Sequence, residues 1–127
     1  MTKARRETLK VLQEATSPLS ANDIVKKIAI TVDPVTIYRT LKYLEERSYT
    51  DSFLLHCEDH GTQRYYTFRD KDAHHHWFHC KKCHTFIDLG SCELDSILKK
   101  YQKEFGITIV DHTLNLVGLC PKCVKSN

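Results

Sequence analysis

The sequence predicts an α+β protein. A winged helix-turn-helix unit over residues 1–69 should precede a small α/β dimerisation unit over residues 70–127 with a four-cysteine zinc site. Three observations carry this. Three stretches with helical hydrophobic spacing lead into two strand-like runs; one further helix stands among later strand-like runs; and Cys80-x-x-Cys83 and Cys120-x-x-Cys123 bracket the second half. With 127 residues shared between two units, either core alone is marginal and gains from a staple.

In the first half, Leu9, Val11, Leu12 and Ala15 recur among charges and predict a helix that stops before Ser17-Pro18-Leu19-Ser20. A second helix opens with a capping box, the Ser20 hydroxyl accepting from the Asp23 amide while the Asp23 carboxylate reaches back. Asp33 caps a third, with Pro34 at its first position, where a missing N–H costs nothing. Within it Val35, Tyr38, Leu41 and Leu44 predict the buried face, leaving Thr36, Arg39, Lys42 and Tyr43 to point elsewhere. "YTDSFLL" and "QRYYTF" read as strands around "HCEDHGT", whose Gly61 supplies a positive φ. Three helices and a hairpin make a winged helix-turn-helix, its third helix placed to enter a major groove. The competing reading is a plain helical domain with an appended hairpin.

Past a junction near residues 69–73, "WFHC" and "TFIDL" look extended. "SCELDSILKKYQKEFG" sets Leu94, Ile97, Leu98, Tyr101 and Phe105 on one helical stripe and ends at Gly106, a C-cap residue. "ITIVDHTLNLVGLC" alternates as a strand or strand pair. An antiparallel sheet this small, with one helix on it, completes its core by pairing with a second copy.

Composition sets the setting. Lysine and arginine exceed aspartate and glutamate by a formal +3, and residues 1–50 hold that excess, nine basic against six acidic. A nucleic-acid face there is permitted but not demanded. No apolar run is long enough to span a membrane, and the opening "MTKARRETLKVL" lacks the pattern of a signal peptide, so a cytoplasmic protein is expected. In a reducing compartment six cysteines point to metal ligands or thiols rather than disulfides.

The two Cys-x-x-Cys pairs are the strongest of these signals. Two residues between thiolates let both sulfurs converge on one ion, and two such knuckles, 36 residues apart, complete the tetrahedral set of structural zinc. A redox dithiol would leave the matched second pair unexplained. A closed four-thiolate site has no position for water, so it holds structure rather than performing chemistry. Zinc deaminases also carry Cys-x-x-Cys but place a catalytic glutamate two residues after a ligating histidine. Leu114 stands two after His112, and no enzyme is expected.

"AHHHWFHCKKC" adds nitrogen donors. Along a strand His74 and His76 share a face while His75 points oppositely. His74 and His76 with Asp95 and His112 would make a set of three nitrogens and one oxygen, suited to zinc and also to iron, manganese or nickel. Lacking thiolate and partly open, it would bind metal reversibly. A surface histidine cluster is the bland alternative.

These residues resemble the ferric uptake regulator family of metal-dependent transcriptional repressors, which senses zinc, iron, manganese, nickel or peroxide. "PVTIYRTLKYLEE" is similar to its recognition helix, "HHHWFHCKKC" to its histidine-rich run into the first knuckle, and "GITIVDHTLNLVGLCPKC" to its closing segment. The resemblance implies a homodimer that grips a palindromic, A/T-rich operator on double-stranded DNA when its regulatory metal is bound. It implies structural Zn2+ on Cys80, Cys83, Cys120 and Cys123, a regulatory metal on His74, His76, Asp95 and His112, and DNA contacts from Tyr38 and Arg39, with Thr36 and Lys42 nearby. No membrane and no small organic substrate enter this reading.

The sequence also departs from the family pattern. The leading helix is absent, so its basic residues would be replaced by Lys3, Arg5 or Arg6, or done without. At the hinge metal site His75 is present, but the second histidine position is Trp77, and Pro18 and Thr67 stand near positions where relatives offer a ligand. The wing carries His56, Cys57 and His60, so a rewired hinge site of His75 with these residues is one expectation; a polar wing tip with a buried cysteine is the other. A thiolate there would favour zinc over ferrous iron or manganese as the sensed metal. The remaining alternatives are an iron-, manganese- or peroxide-sensing relative, and a zinc-stapled adaptor that binds protein and no DNA.

Overall fold

A computed structural model describes residues 1–69 and 74–126, so most of the expected junction lies outside the described residues. The chain divides into two compact units, Met1–Asp70 and Lys71–Asn127.

In the first unit α1 (Lys3–Glu14) starts at Thr2, whose side chain accepts from the Arg5 amide. The two-residue strand β1 (Leu19–Ser20) leads into α2 (Ala21–Lys27). The capping box forms as the sequence predicts, Asp23 N–H to Ser20 Oγ at 3.2 Å and Ser20 N–H to Asp23 Oδ2 at 3.0 Å. In α3 (Pro34–Glu46) Asp33 Oδ1 accepts from the Thr36 amide at 2.7 Å.

The buried face of α3 is Ile37, Leu41 and Leu44 with Thr40, which corrects the expected stripe. Val35 and Tyr38 are 56% and 58% exposed. Ile37 takes the inward place one turn before Leu41, and its neighbour Tyr38 is thereby turned about 100° away. Ile37 and Leu41 pack with Leu12, Leu19, Ala21, Ile24 and Tyr66 in a closed hydrophobic core.

β2 (Thr50–Cys57) and β3 (Gly61–Phe68) pair antiparallel from Thr50 opposite Phe68 to Cys57 opposite Gly61. Both strands run further than the alternation predicts, leaving only residues 58–60 for the turn, which Gly61 closes at φ +73°. β1 adds to β3 through Leu19 opposite Tyr66, giving the order β1-β3-β2. Two residues are too few to show an alternation, so β1 has no signature in the sequence.

The second unit is a sheet of order β5-β4-β6, formed by β4 (His75–Cys80), β5 (Phe86–Ser91) and β6 (Asn115–Gly118). It is mixed rather than antiparallel: β5 runs against β4, but β6 runs with it, from Trp77 opposite Asn115 to Cys80 opposite Gly118. Residues 92–114, which include α4 (Asp95–Phe105), carry the chain across to the far edge of β4, the kind of long connection a parallel pair requires. α4 ends at Gly106 with φ +65°. Residues 107–114, expected as strand, find no sheet partner among the described residues, and Val110 is 93% exposed. A last short helix, α5 (Pro121–Lys125), follows Cys120.

Candidate metal centres

Cys80 ends β4, and the chain turns back at once: His84 N–H donates to Cys80 O at 2.9 Å and Cys80 N–H to Thr85 O at 3.0 Å. The parallel pairing of β4 with β6 sets Cys80 beside Gly118, so the second knuckle arrives next to the first. α5 then brings Cys123 back over Cys120, with Val124 N–H on Cys120 O at 2.9 Å. Pro121, directly after Cys120, is the helix-start signal that locates this turn in the sequence.

The four sulfurs converge. Cys83 Sγ lies 3.6 Å from Cys120 Sγ, and all four lie within 4.8 Å of one another. A zinc tetrahedron with bonds of ~2.3 Å has edges of about 3.8 Å, so the set closes on that ion with shifts of about 1 Å at most. Burial pushes the Cys80 thiol up, but the amides of Cys83, Cys120 and Lys82 outweigh it and bring it down to about 5. Cys123 is pushed up to about 12 by burial and by the neighbouring thiols. One sulfur is thus held as thiolate by amide donors, whereas another depends on a cation to lose its proton.

A second cluster forms where β4 begins. His112 Nε2 is its hub, 2.9 Å from His74 Nε2 and 3.3 Å from His76 Nε2. His74, just before β4, and His76 within it reach this face, while the alternation of β4 turns His75 away from it. His76 is buried, and its pKa is lowered by that burial and by the nearby His74 and His112, which favours the neutral, ligating form. The fourth group within reach is Cys92, whose Sγ lies 3.3 Å from His112 Nε2.

Asp95, the expected oxygen donor, is not in this group. It opens α4 and pairs along the helix with Lys99, Oδ2 to Nζ at 2.9 Å. The reason is local: an exposed acid at the first position of a helix meets a lysine four residues on before it meets anything across the unit. Cys92 has no signature in the sequence; its approach depends on the backbone bond from Cys92 N–H to His74 O at 3.2 Å, which no spacing rule reveals.

The expected hinge residues belong to different units, His75 to the second and His56, Cys57 and His60 to the first. His75 Nδ1 lies 2.8 Å from both Asp88 carboxylate oxygens. Asp88 stands two residues past the start of β5, and no spacing in the sequence joins it to His75. In the wing, Cys57 Sγ lies 3.6 Å from His60 Nδ1, and His56 Nδ1 lies 3.0 Å from Thr62 Oγ1. His56-Cys57-Glu58 reads as His-x-Glu, but it belongs to the hairpin of the first unit, whereas the four-cysteine set belongs to the second.

The profile of the ferric uptake regulator family matches residues 1–117. The chain belongs to that family. The ferric uptake regulation protein of Synechococcus elongatus is 33% identical over 134 residues, covering 99% of this chain and 86% of that protein. The Bacillus subtilis ferric uptake regulation protein is 30% identical over 128 residues, covering 97% and 84%. The solved ferric uptake regulator of Francisella tularensis with iron superposes with a TM-score of 0.75 at 26% identity, covering 98% of this chain and 93% of that one. As a member of the ferric uptake regulator family this chain is a metal-responsive transcriptional regulator and not an enzyme. No helix among the described residues is long and apolar enough to cross a membrane.

In this ferric uptake regulator fold the winged helix-turn-helix presents Thr36, Tyr38, Arg39 and Lys42 as one exposed run along α3. Exposure separates Tyr38 from the core to which its apolar register had joined it. Arg5 is engaged elsewhere: its guanidinium lies 3.5 Å over the Tyr43 ring, with Arg47 at 4.8 Å. Arg6 donates to Met1 O.

Proposed function

We propose that this chain is a cytoplasmic, homodimeric repressor of metal-uptake genes that binds a palindromic, A/T-rich operator when metal-loaded, with zinc as the sensed metal. The observation that carries it is the convergence of His74, His76 and His112 on one point of the second unit, beside an independent four-cysteine site. Cys80, Cys83, Cys120 and Cys123 would hold structural zinc. When bound at the histidine cluster, a divalent cation supplies a cross-link between the start of β4 and the segment before β6.

The chain's own residues do the rest. His76 from β4, His74 just before it and His112 from residues 107–114 tie an irregular segment to the sheet, and the arrangement so fixed is the one that binds DNA, so metal and operator affinities rise together by linkage. A second copy would cover Ile97, Tyr101, Phe105, Leu116 and Val117, all exposed in one protomer. The pair would present two α3 helices to major grooves about 34–36 Å apart. Arg39 would contact a base edge or phosphate and Lys42 the backbone, with Thr36 and Tyr38 alongside. Arg5, occupied by Tyr43, is a weaker candidate for DNA than Arg39.

The test is operator binding by purified protein with its structural zinc retained, while free zinc, ferrous iron and manganese are each buffered across a range. Binding that appears with zinc at the lowest free concentration supports the reading; binding that ignores every metal removes it. A second reading, iron as the sensed metal, has a specific support in the iron-bound Francisella tularensis relative, and the same titration separates the two.

A further inference from the structure

We propose that Cys92 is the fourth ligand of the histidine cluster, making a His3Cys site for a thiophilic divalent cation of the zinc or cobalt kind, and that Asp95 is not a ligand. This rests on the reading of that cluster as the metal-sensing site.

Position is the first argument. Cys92 follows directly on β5, and its amide donates to His74 O at 3.2 Å, so the backbone itself pins Cys92 beside a ligand histidine. Its sulfur lies 3.3 Å from His112 Nε2, the hub atom that also meets His74 and His76. The four donor atoms lie within 4.8 Å of one another. Bonds of ~2.0–2.1 Å to nitrogen and ~2.3 Å to sulfur give tetrahedral edges of about 3.3–3.6 Å, close to the spacings here.

Donor chemistry is the second. The Leu94 amide donates to Cys92 Sγ at 3.4 Å, an N–H aimed at the sulfur where thiolate charge would sit. This is the outer-shell support that orients a ligand. Asp95 has the opposite surroundings: its side chain is 76% exposed and satisfied by Lys99. Exchanging a carboxylate for a thiolate changes which ion the site prefers, since sulfur suits zinc and cobalt better than ferrous iron or manganese. A thiolate at this position would therefore tilt the cluster toward zinc or cobalt.

Cobalt absorption tests the assignment. Full-length protein with its four-cysteine zinc retained, as checked by native mass spectrometry, is titrated with Co2+. One further cobalt per chain should bind with a near-ultraviolet thiolate-to-cobalt charge-transfer band. Cys92→Ser should keep the cobalt but lose that band. Asp95→Ala and Cys57→Ser should leave both unchanged. Cys92→Asp, a full four-donor variant, guards against damage by truncation: it should bind cobalt without the band and lose preference for zinc over manganese.

Bound cobalt without a band in the unaltered protein, or a band that survives Cys92→Ser, would overturn the proposal and leave the sensing site intact as a nitrogen–oxygen site. Failure of the unaltered protein to take up any second cobalt or zinc ion would remove the sensing reading as well.

Discussion

The two units of this chain are held together by different chemistry. In the first, Leu12, Ile24, Ile37 and Leu41 are almost wholly shielded from water and pack in one core with Leu19 and Tyr66. In the second, the buried cluster is Cys80, Cys120 and Cys123, with Phe78 and Leu119 partly covering it, and α4 buries no residue among those described. Burying a leucine or isoleucine contributes roughly 1.5–3 kcal/mol, so the first unit accumulates stability from carbon. The second has little such area, and all four of its sulfurs become thiolates together only when a cation displaces the remaining protons. The lesson is that one chain meets the small-domain problem twice: once by packing, and once by a staple.

The sharpest way to break this comparison is to remove the staple. Cys80→Ser, or chelation of the structural metal, should unfold the second unit while the first keeps its amide protection, because structural zinc supplies about 10–16 kcal/mol in small metal-dependent folds. Hydrogen exchange read residue by residue checks it. Retention of β4–β6 protection without metal would mean that the sheet holds itself. Next in size is the converse change. Leu41→Ala should cost the first unit about 2–5 kcal/mol in denaturant unfolding and leave the metal content of the second untouched; a loss of zinc would join two cores held here to be separate.

A third change acts on function alone. Arg39→Ala should weaken operator binding by roughly 1–3 kcal/mol with no change in metal stoichiometry or melting temperature, measured by fluorescence anisotropy at fixed salt. Equal binding by the variant would move the DNA contact off this face of α3.

How much of this was legible in the sequence follows the same division. In the first unit Ser20 and Asp23, Asp33 and Pro34, and Gly61 each act through neighbours a few residues away, and each sits where the spacing puts it. The error there was rotational: Tyr38 and Ile37 are adjacent and both apolar, and only the packing of Leu41 against the other helices decides which faces inward. In the second unit the four-cysteine set is readable because both knuckles are local pairs. Cys92 is not, because it joins His74 through a strand-edge backbone bond and His112 through a segment without regular structure. Alternation likewise misled over residues 107–114, where a periodic pattern finds no neighbouring strand among the described residues.

Acid offers a smaller probe of the first unit's local devices. Hydrogen bonds from Thr36, side chain first and then amide, hold the Asp33 carboxyl below its usual 3.8, with the Arg39 charge adding to them. A folded value below the unfolded one means the native state binds the proton less readily. The stabilisation is present above 3.8 and is lost as pH falls through the lower, folded value. Asp33→Asn keeps a cap but removes the charge, so the acid loss of amide protection at the start of α3 should flatten; an unchanged acid limb would assign it to another group.

The smallest expected effect, and the only stabilising one, comes at the other end of the same helix. Past the C-terminus of α3, Ser48 holds φ +64° while its amide donates to Glu45 O at 3.0 Å. A side chain in the left-handed region costs roughly 1–2 kcal/mol that glycine avoids, though glycine also loses more freedom on folding. Ser48 is exposed and packs nothing the core needs, so Ser48→Gly should raise first-unit stability by about 0.5–1 kcal/mol. The second unit should not respond, since its buried cluster is built from Cys80, Cys120 and Cys123 and not from α3. A gain in both units would show that the recognition helix and the metal-held sheet unfold as one body, and the contrast between them would then be one of composition and not of energetics.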